Sequence, residues 1–295
     1  MIYKNLSAEG LGISGRQSEL IELSLTHGFR GLDLDILDLV KRSQTQGVPQ
    51  ATRFLKSAQM HVGGFEVPVR WLADEATFQK DLPQLQVAME IANVLGGSGC
   101  FATIQPGSDD LPYHENFELH RKRLGQLAKI LAEKNLKLGL GLYAAPARRA
   151  DKRFEFISQA DALLTLIKTI GSPNIGLLYD TWNWKVGGGT IDHIRERGGE
   201  HIVAVRIADA PADIDPANAL ETDRLMPTEG GACELPTVMQ TLGEIGYDGP
   251  LTMYAHPSRY TGRTREAILQ EAKVALDDLI KAANPQTDEV AATGA

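Results

Sequence analysis

Apolar runs of strand length alternate with helical periodicity along almost the whole chain. Residues 2–7 read as a first strand, and Leu20 and Leu23 mark an amphipathic helix that stops at Gly28. Residues 31–35, Gly-Leu-Asp-Leu-Asp, read as strand two and lead into a helix ending near Lys56. Strand three covers 59–65. Beyond it Phe78, Leu82, Leu85, Met89 and Ala92 recur at spacings of three and four, which predicts one face of a long helix despite Pro83. Strand four is 99–104, followed by a helix carrying Leu124, Leu127 and Leu131; strand five is 136–143, followed by a helix with Leu163, Ile167 and Ile170 that ends at Gly171. Strand six, 175–179, delivers the carboxylate Asp180 and opens into a loop holding Trp182, Trp184 and three glycines, before helical sequence resumes at Thr190. Strand seven is 201–208, strand eight 250–255, and a closing helix covers 264–282.

Eight strand-helix alternations without an internal repeat favour a single (β/α)8 TIM barrel over a doubly wound sheet. The barrel domain is expected over 1–283, with a disordered tail over 284–295. In such a barrel the chemistry gathers where strands end and loops begin. The segment 209–233, between strand seven and its helix, is long for a compact domain and is expected to fold over the barrel mouth.

Composition narrows the function. With 295 residues, 43% of them hydrophobic, the chain can bury a full core. A net charge of -8 disfavours a nucleic-acid backbone or an anionic membrane as partner. Two cysteines, Cys100 and Cys233, lie far apart without CxxC spacing, so neither a disulfide framework nor a thiolate metal site is expected. With no apolar leader-like segment at the start and no run of spanning length, a cytoplasmic protein is expected.

Several local patterns, in order, resemble the sugar phosphate isomerase/epimerase family of xylose-isomerase-like TIM barrels: GFEVPVRW at 64–71, LGLGLYAAP at 138–146, LLYDTWNW at 177–184, VRIADAP at 205–211, RLMPTEG at 224–230 and GYDGPLTMY at 246–254. The resemblance implies one divalent cation held by a Glu, an Asp, a His and a second Glu from strands five to eight, with the two Glu residues moving the substrate's proton. Laid on this chain, those positions fall on Leu142, Asp180, Arg206 and Tyr254, and a usual His after the Asp is Asn183. Only the Asp is kept. Leucine offers no donor, arginine brings a fixed positive charge and neutral tyrosine is a poor substitute for carboxylate, so no metal and no other cofactor is expected.

Asp180 is expected in the cleft, with Arg206 paired to it from the neighbouring strand or free to hold a ligand oxyanion. Tyr143, Trp182 and Tyr254 suit either packing or the apolar face of a sugar. Glu66 and Asp209 are candidates for ligand contact or loop anchoring, Arg224 for ligand contact or a loop staple, and His256 for carrying a proton near neutrality. Two functions follow: a metal-free barrel that binds a sugar or sugar phosphate, a pseudoenzyme, or a sugar isomerase or epimerase rebuilt around Asp180, Arg206 and His256. The expected partner is a small sugar derivative, with no nucleic acid and no membrane; a homo-oligomer stays open.

Overall fold

The computed structural model describes residues 1–283. Eight parallel strands share one sheet: Tyr3–Leu6, Gly31–Asp33, His61–Gly64, Gly99–Ile104, Lys137–Leu142, Ile175–Asp180, Ile202–Ile207 and Pro250–Met253. Numbered one to eight along the chain, they lie in the order three, two, one, eight, seven, six, five, four. That order follows the chain around a cylinder, and its two ends meet. Phe101 N–H donates to the Phe65 carbonyl at 2.8 Å, and Val67 N–H donates to the Phe101 carbonyl at 2.9 Å, joining strands three and four by a parallel bridge at Glu66 and Phe101. The sheet is therefore a closed (β/α)8 barrel.

Strand residues alternate between two environments, as a pleated sheet requires. Leu138, Leu140 and Leu142 of strand five join the large core between sheet and helices, together with Leu124, Leu127 and Leu163. Phe101, Leu178 and Ala204, with Val203, fill the barrel interior. Gly139 and Gly141 face that interior: a Cβ there would come within 3.1 Å of Val203 and Leu178 respectively. The strands are short, so the inward positions at their carboxyl ends are soon lined by polar groups instead.

Three expectations change. The single helix after strand two is two, Ile36–Gln46 and Val48–Ser57, because Gly47 turns the chain at φ 79° and Pro49 sits in the first turn of the second. Strand two stops at Asp33, since the Asp35 side chain leaves the sheet and accepts the Asp38 N–H at 3.1 Å, capping the first of those helices. The expected loop after Asp180 is a short helix, Thr181–Val186, which Asp180 itself caps by accepting the Asn183 N–H at 2.8 Å; the glycines follow it rather than replace it. The tail over 284–295 lies outside the described residues. Among the described residues no helix is long and apolar enough to cross a membrane.

Candidate active site at the barrel mouth

Alternation decides which side chains reach the mouth. In strand five the inward residues are Gly139 and Gly141, so Tyr143 is next, and Leu142 faces the helices at 3% exposure. The first family position, expected on Leu142, therefore belongs to the mouth only as Tyr143. The same parity carries Leu178 to Asp180, Ala204 to Arg206, Thr252 to Tyr254, Gly64 to Glu66 and Gly31 to Asp33.

Arg206 does not pair with Asp180. The two are register partners on neighbouring strands, but Arg206 Nη2 donates to Glu66 Oε1 at 2.9 Å, on the far side of the barrel. An arginine long enough to cross the mouth meets a carboxylate there, and Asp180 is already taken from above. Arg224, in the long segment after strand seven, donates from Nη1 to both Asp180 oxygens at 2.9 and 3.1 Å and from Nε to Glu221 Oε2 at 3.0 Å. Asp180 and Arg224 are both buried, at 6% and 5% exposure. Burial works against the Arg224 charge, but Asp180 and Glu221 beside it hold it protonated.

The two guanidinium groups are framed by rings. Arg206 lies 4.4 Å from the Tyr254 ring centre and 5.4 Å from that of Phe101, the side chain that plugs the barrel beneath it. Arg224 lies 4.7 Å from the ring of the fully buried Trp182. Tyr143 carries the Arg148 guanidinium on its face at 3.8 Å, and Arg148 Nε donates to Glu221 Oε1 at 2.6 Å. Charged groups thus tie the long segment to the loops after strands five and six.

The remaining expected residues divide by role. Asn183 Oδ1 accepts the Ala144 N–H at 3.0 Å, joining the helix after strand six to the loop after strand five. Asp209 Oδ1 accepts the N–H groups of Ala210 at 2.8 Å and Cys233 at 3.0 Å, so it clasps both ends of the long segment. His256 Nδ1 accepts the Ser258 N–H at 3.2 Å and caps the turn Pro257–Tyr260. Its side chain serves its own turn, and it shares no described hydrogen bond with Asp180, Arg206 or Glu66.

One mouth residue escaped the sequence reading. Asp33, the last residue of strand two, receives the Asn5 Nδ2 hydrogen bond at 2.7 Å, and the same amide nitrogen donates to Thr252 Oγ1 at 3.0 Å. Burial pushes its carboxyl up to about 6, against the opposing pull of Arg206 and of hydrogen bonds from Asn5 and Ser7, with Glu66 adding to the rise. Burial also raises Glu66, and Arg206 opposes it. The Glu66 side chain is 52% exposed all the same, so it lies in a concave wall that water reaches, and screening tempers that rise. The signal for Asp33 was its parity with Gly31, inward, in a stretch where Leu32 and Leu34 point outward.

A hollow of about 960 Å³ lies at the opposite end of the barrel, lined by Tyr3, Lys4, His61, Lys137 and Gly249 near the amino ends of the strands. The polar groups described above converge at the carboxyl ends, where (β/α)8 barrels carry their chemistry, and that is the candidate site.

The model of the xylose isomerase-like TIM barrel family matches residues 21–279. The chain belongs to that family. An inosose isomerase of Bacillus subtilis (strain 168) is 25% identical over 115 residues, 39% of this chain and 41% of that protein; the matched part thus spans less than half of the curated relative's length. Among solved structures, a xylose isomerase domain protein from Alicyclobacillus acidocaldarius superposes with a TM-score of 0.86 at 22% identity, covering 96% of this chain and 99% of that one. The IOLI protein, solved with a binding zinc atom, superposes with a TM-score of 0.76 at 17% identity, over 95% and 98%. At these identities the superpositions establish the xylose isomerase-like fold alone.

The cation that the family implies is not matched by this donor set. At the four corresponding positions stand Tyr143, Asp180, Arg206 and Tyr254, and the one carboxylate is held on both oxygens by Arg224. Among the described residues no three His, Cys, Asp or Glu side chains are grouped to hold a metal ion.

Proposed function

We propose that this xylose isomerase-like barrel is a divergent member that binds a sugar or sugar derivative at its carboxyl-end mouth without the family's metal-dependent chemistry. One observation carries the reading: two buried guanidinium groups stand where a dication would need donors, and they are not equivalent. Arg224 is held by two carboxylates, Asp180 through Nη1 and Glu221 through Nε, whereas Arg206 has a single hydrogen-bonded partner, Glu66, among the described residues. A guanidinium offers five N–H donors in one plane, so Arg206 retains donors for a ligand hydroxyl, carbonyl or oxyanion. Tyr254, whose ring Arg206 itself overlies at 4.4 Å, leaves its other face as the usual complement to the C–H side of a sugar ring. The isomerase name of the partial Bacillus relative supports a polyol or sugar as the class of ligand.

Calorimetric titration of wild type and Arg206→Ala against sugars, sugar phosphates, sugar acids and inososes tests this. Binding of at least one compound, weakened about tenfold or more in Arg206→Ala while the fold survives, is the expected result. A panel that binds equally well to both proteins, or to neither, overturns the reading.

A further inference from the structure

Outside the barrel wall, between strand six and the helix that follows the long segment, lies a hollow of about 260 Å³. Parity turns Tyr179 away from the mouth, opposite to Asp180, and its side chain lines this hollow together with Trp184, Lys185, Cys233, Thr237 and Val238. A buried phenol normally finds a partner: Tyr247 donates to the Pro250 carbonyl at 2.8 Å and Tyr260 to Met226 Sδ at 3.1 Å. Tyr179 is 2% exposed, yet its hydroxyl makes no hydrogen bond among the described residues. Its aim is fixed, because the Trp184 ring meets it edge-on with centres 5.7 Å apart, and Trp184 Nε1 in turn donates to the Thr190 carbonyl at 3.0 Å. Burial raises the Tyr179 pKa, and the Cys233 thiol is the first neighbour to add to the rise. The hydroxyl therefore faces the Cys233 side of the hollow and stays a donor at neutral pH.

Donors from two further elements meet the same space. The helix Leu235–Glu244 begins here without a side-chain cap, and Pro236 has no N–H; the Leu235 and Thr237 N–H groups have no partner among the described residues. With Thr237 in the lining, the positive end of this ten-residue helix borders the hollow. Lys185 comes from the short helix Thr181–Val186 and forms no ion pair among the described residues. Burial raises the Cys233 thiol and Lys185 acts against that rise, so the ammonium lies on the Cys233 side as well. Trp184, Ile191, Ala232 and Val238 make the remaining wall apolar, and Glu234 is the one carboxylate in the lining.

We propose that this hollow binds a small organic monocarboxylate, whose oxygens accept from Tyr179 Oη, Lys185 Nζ and the Thr237 N–H while its short apolar body rests on Trp184 and Val238. The inference does not depend on what the mouth binds. A monoanion fits better than a dianion, because one ammonium and one helix end are opposed by Glu234, and the apolar wall disfavours a strongly hydrated phosphate. Strand six runs from Tyr179 into Asp180, and residues 232–234 end the long segment. An occupant thus ties the end of that segment to the barrel wall.

Calorimetric titration of butyrate, butyramide and inorganic phosphate into wild type, Tyr179→Phe, Lys185→Ala, Glu234→Gln and Arg206→Ala tests this. Butyrate should bind wild type, and butyramide, its uncharged counterpart, should bind about tenfold or more weakly. Tyr179→Phe and Lys185→Ala should each weaken butyrate by about tenfold. Glu234→Gln should tighten it, and Arg206→Ala should leave it unchanged. Butyrate should slow amide exchange over 232–238 in wild type and do so less in Tyr179→Phe. Tyr179→Phe removes a hydroxyl that no protein group uses, so it should melt no lower than wild type. Absence of butyrate binding, equal binding of butyramide, preference for phosphate, or affinity that is lost in Arg206→Ala and kept in Tyr179→Phe overturns the proposal. A lower melting temperature for Tyr179→Phe also overturns it, since the hydroxyl would then serve the fold.

Discussion

Asp180 and Arg224 form the most enclosed ion pair of the mouth, and its energetics are those of buried charge. Each partner offsets the other's desolvation, so removing either leaves a buried charge short of its closest partner, at a cost of about 3–5 kcal/mol. Asp180→Ala and Arg224→Ala should each lower unfolding free energy by that order in urea titrations, and the double variant should lose distinctly less than the sum. Asp33 gives the opposite sign. Its carboxyl is raised from 3.8 to about 6, so between those values the folded protein binds more protons than the unfolded chain, and stability falls as pH rises through the window. Above it the carboxylate is a standing cost of up to about 3 kcal/mol. Asp33→Asn should therefore melt higher than wild type at about pH 8 and match it near pH 4, as read by melting curves across pH; equal melting temperatures throughout would mean the carboxyl is not raised.

At the scale of elements, the long segment after strand seven is held by few, identifiable ties. Asp209 accepts two backbone N–H groups at its ends, the Asp209–Leu225 bridge pairs its two arms, and Arg224 and Glu221 pin its middle to Asp180 and Arg148. Asp209→Ala leaves two buried donors without partners, at about 1–3 kcal/mol each. That loss should appear as faster amide exchange and protease cleavage within 211–231, with protection in the barrel strands retained. The six-residue helix Thr181–Val186 depends on the same economy of side chains: Asp180 both caps it and receives Arg224. One carboxylate thus joins strand six, its helix and the long segment.

For the whole molecule, the decisive contrast is between a conserved scaffold geometry and an altered set of donors at its mouth. The barrel closes, the strand ends converge, and the superposition on a xylose isomerase domain protein extends over 96% of the chain, yet the charges at the mouth are two arginines matched by carboxylates. Mn2+, Mg2+, Co2+ and Zn2+ should accordingly leave the melting temperature unchanged. A specific ion at about a hundred times its dissociation constant would add roughly 2.7 kcal/mol, well within measurement; a clear upward shift lost in Asp180→Ala would show that Asp180 releases Arg224 to take a cation.

The eight strands and their place in one parallel barrel were legible because alternation and periodicity are local properties of sequence. Asp180, Arg206, Arg224, Glu66 and Tyr254 could be placed near one mouth for the same reason: each follows a recognisable strand or sits in the long segment after one. What the sequence could not decide was parity and reach. Whether Leu142 or Tyr143 points inward depends on how strand five is seated in the barrel, and only the interior packing of Gly139 and Gly141 against Val203 and Leu178 settles it. Which carboxylate an arginine meets depends on distances across the barrel, so Arg206 found Glu66, 140 residues away, and Arg224 took Asp180. Asp33 read as one more strand residue until Asn5, Thr252, Glu66 and Arg206 were brought around it from four other strands. A carboxyl's environment is made by groups distant in sequence, and only the closed barrel assembles them.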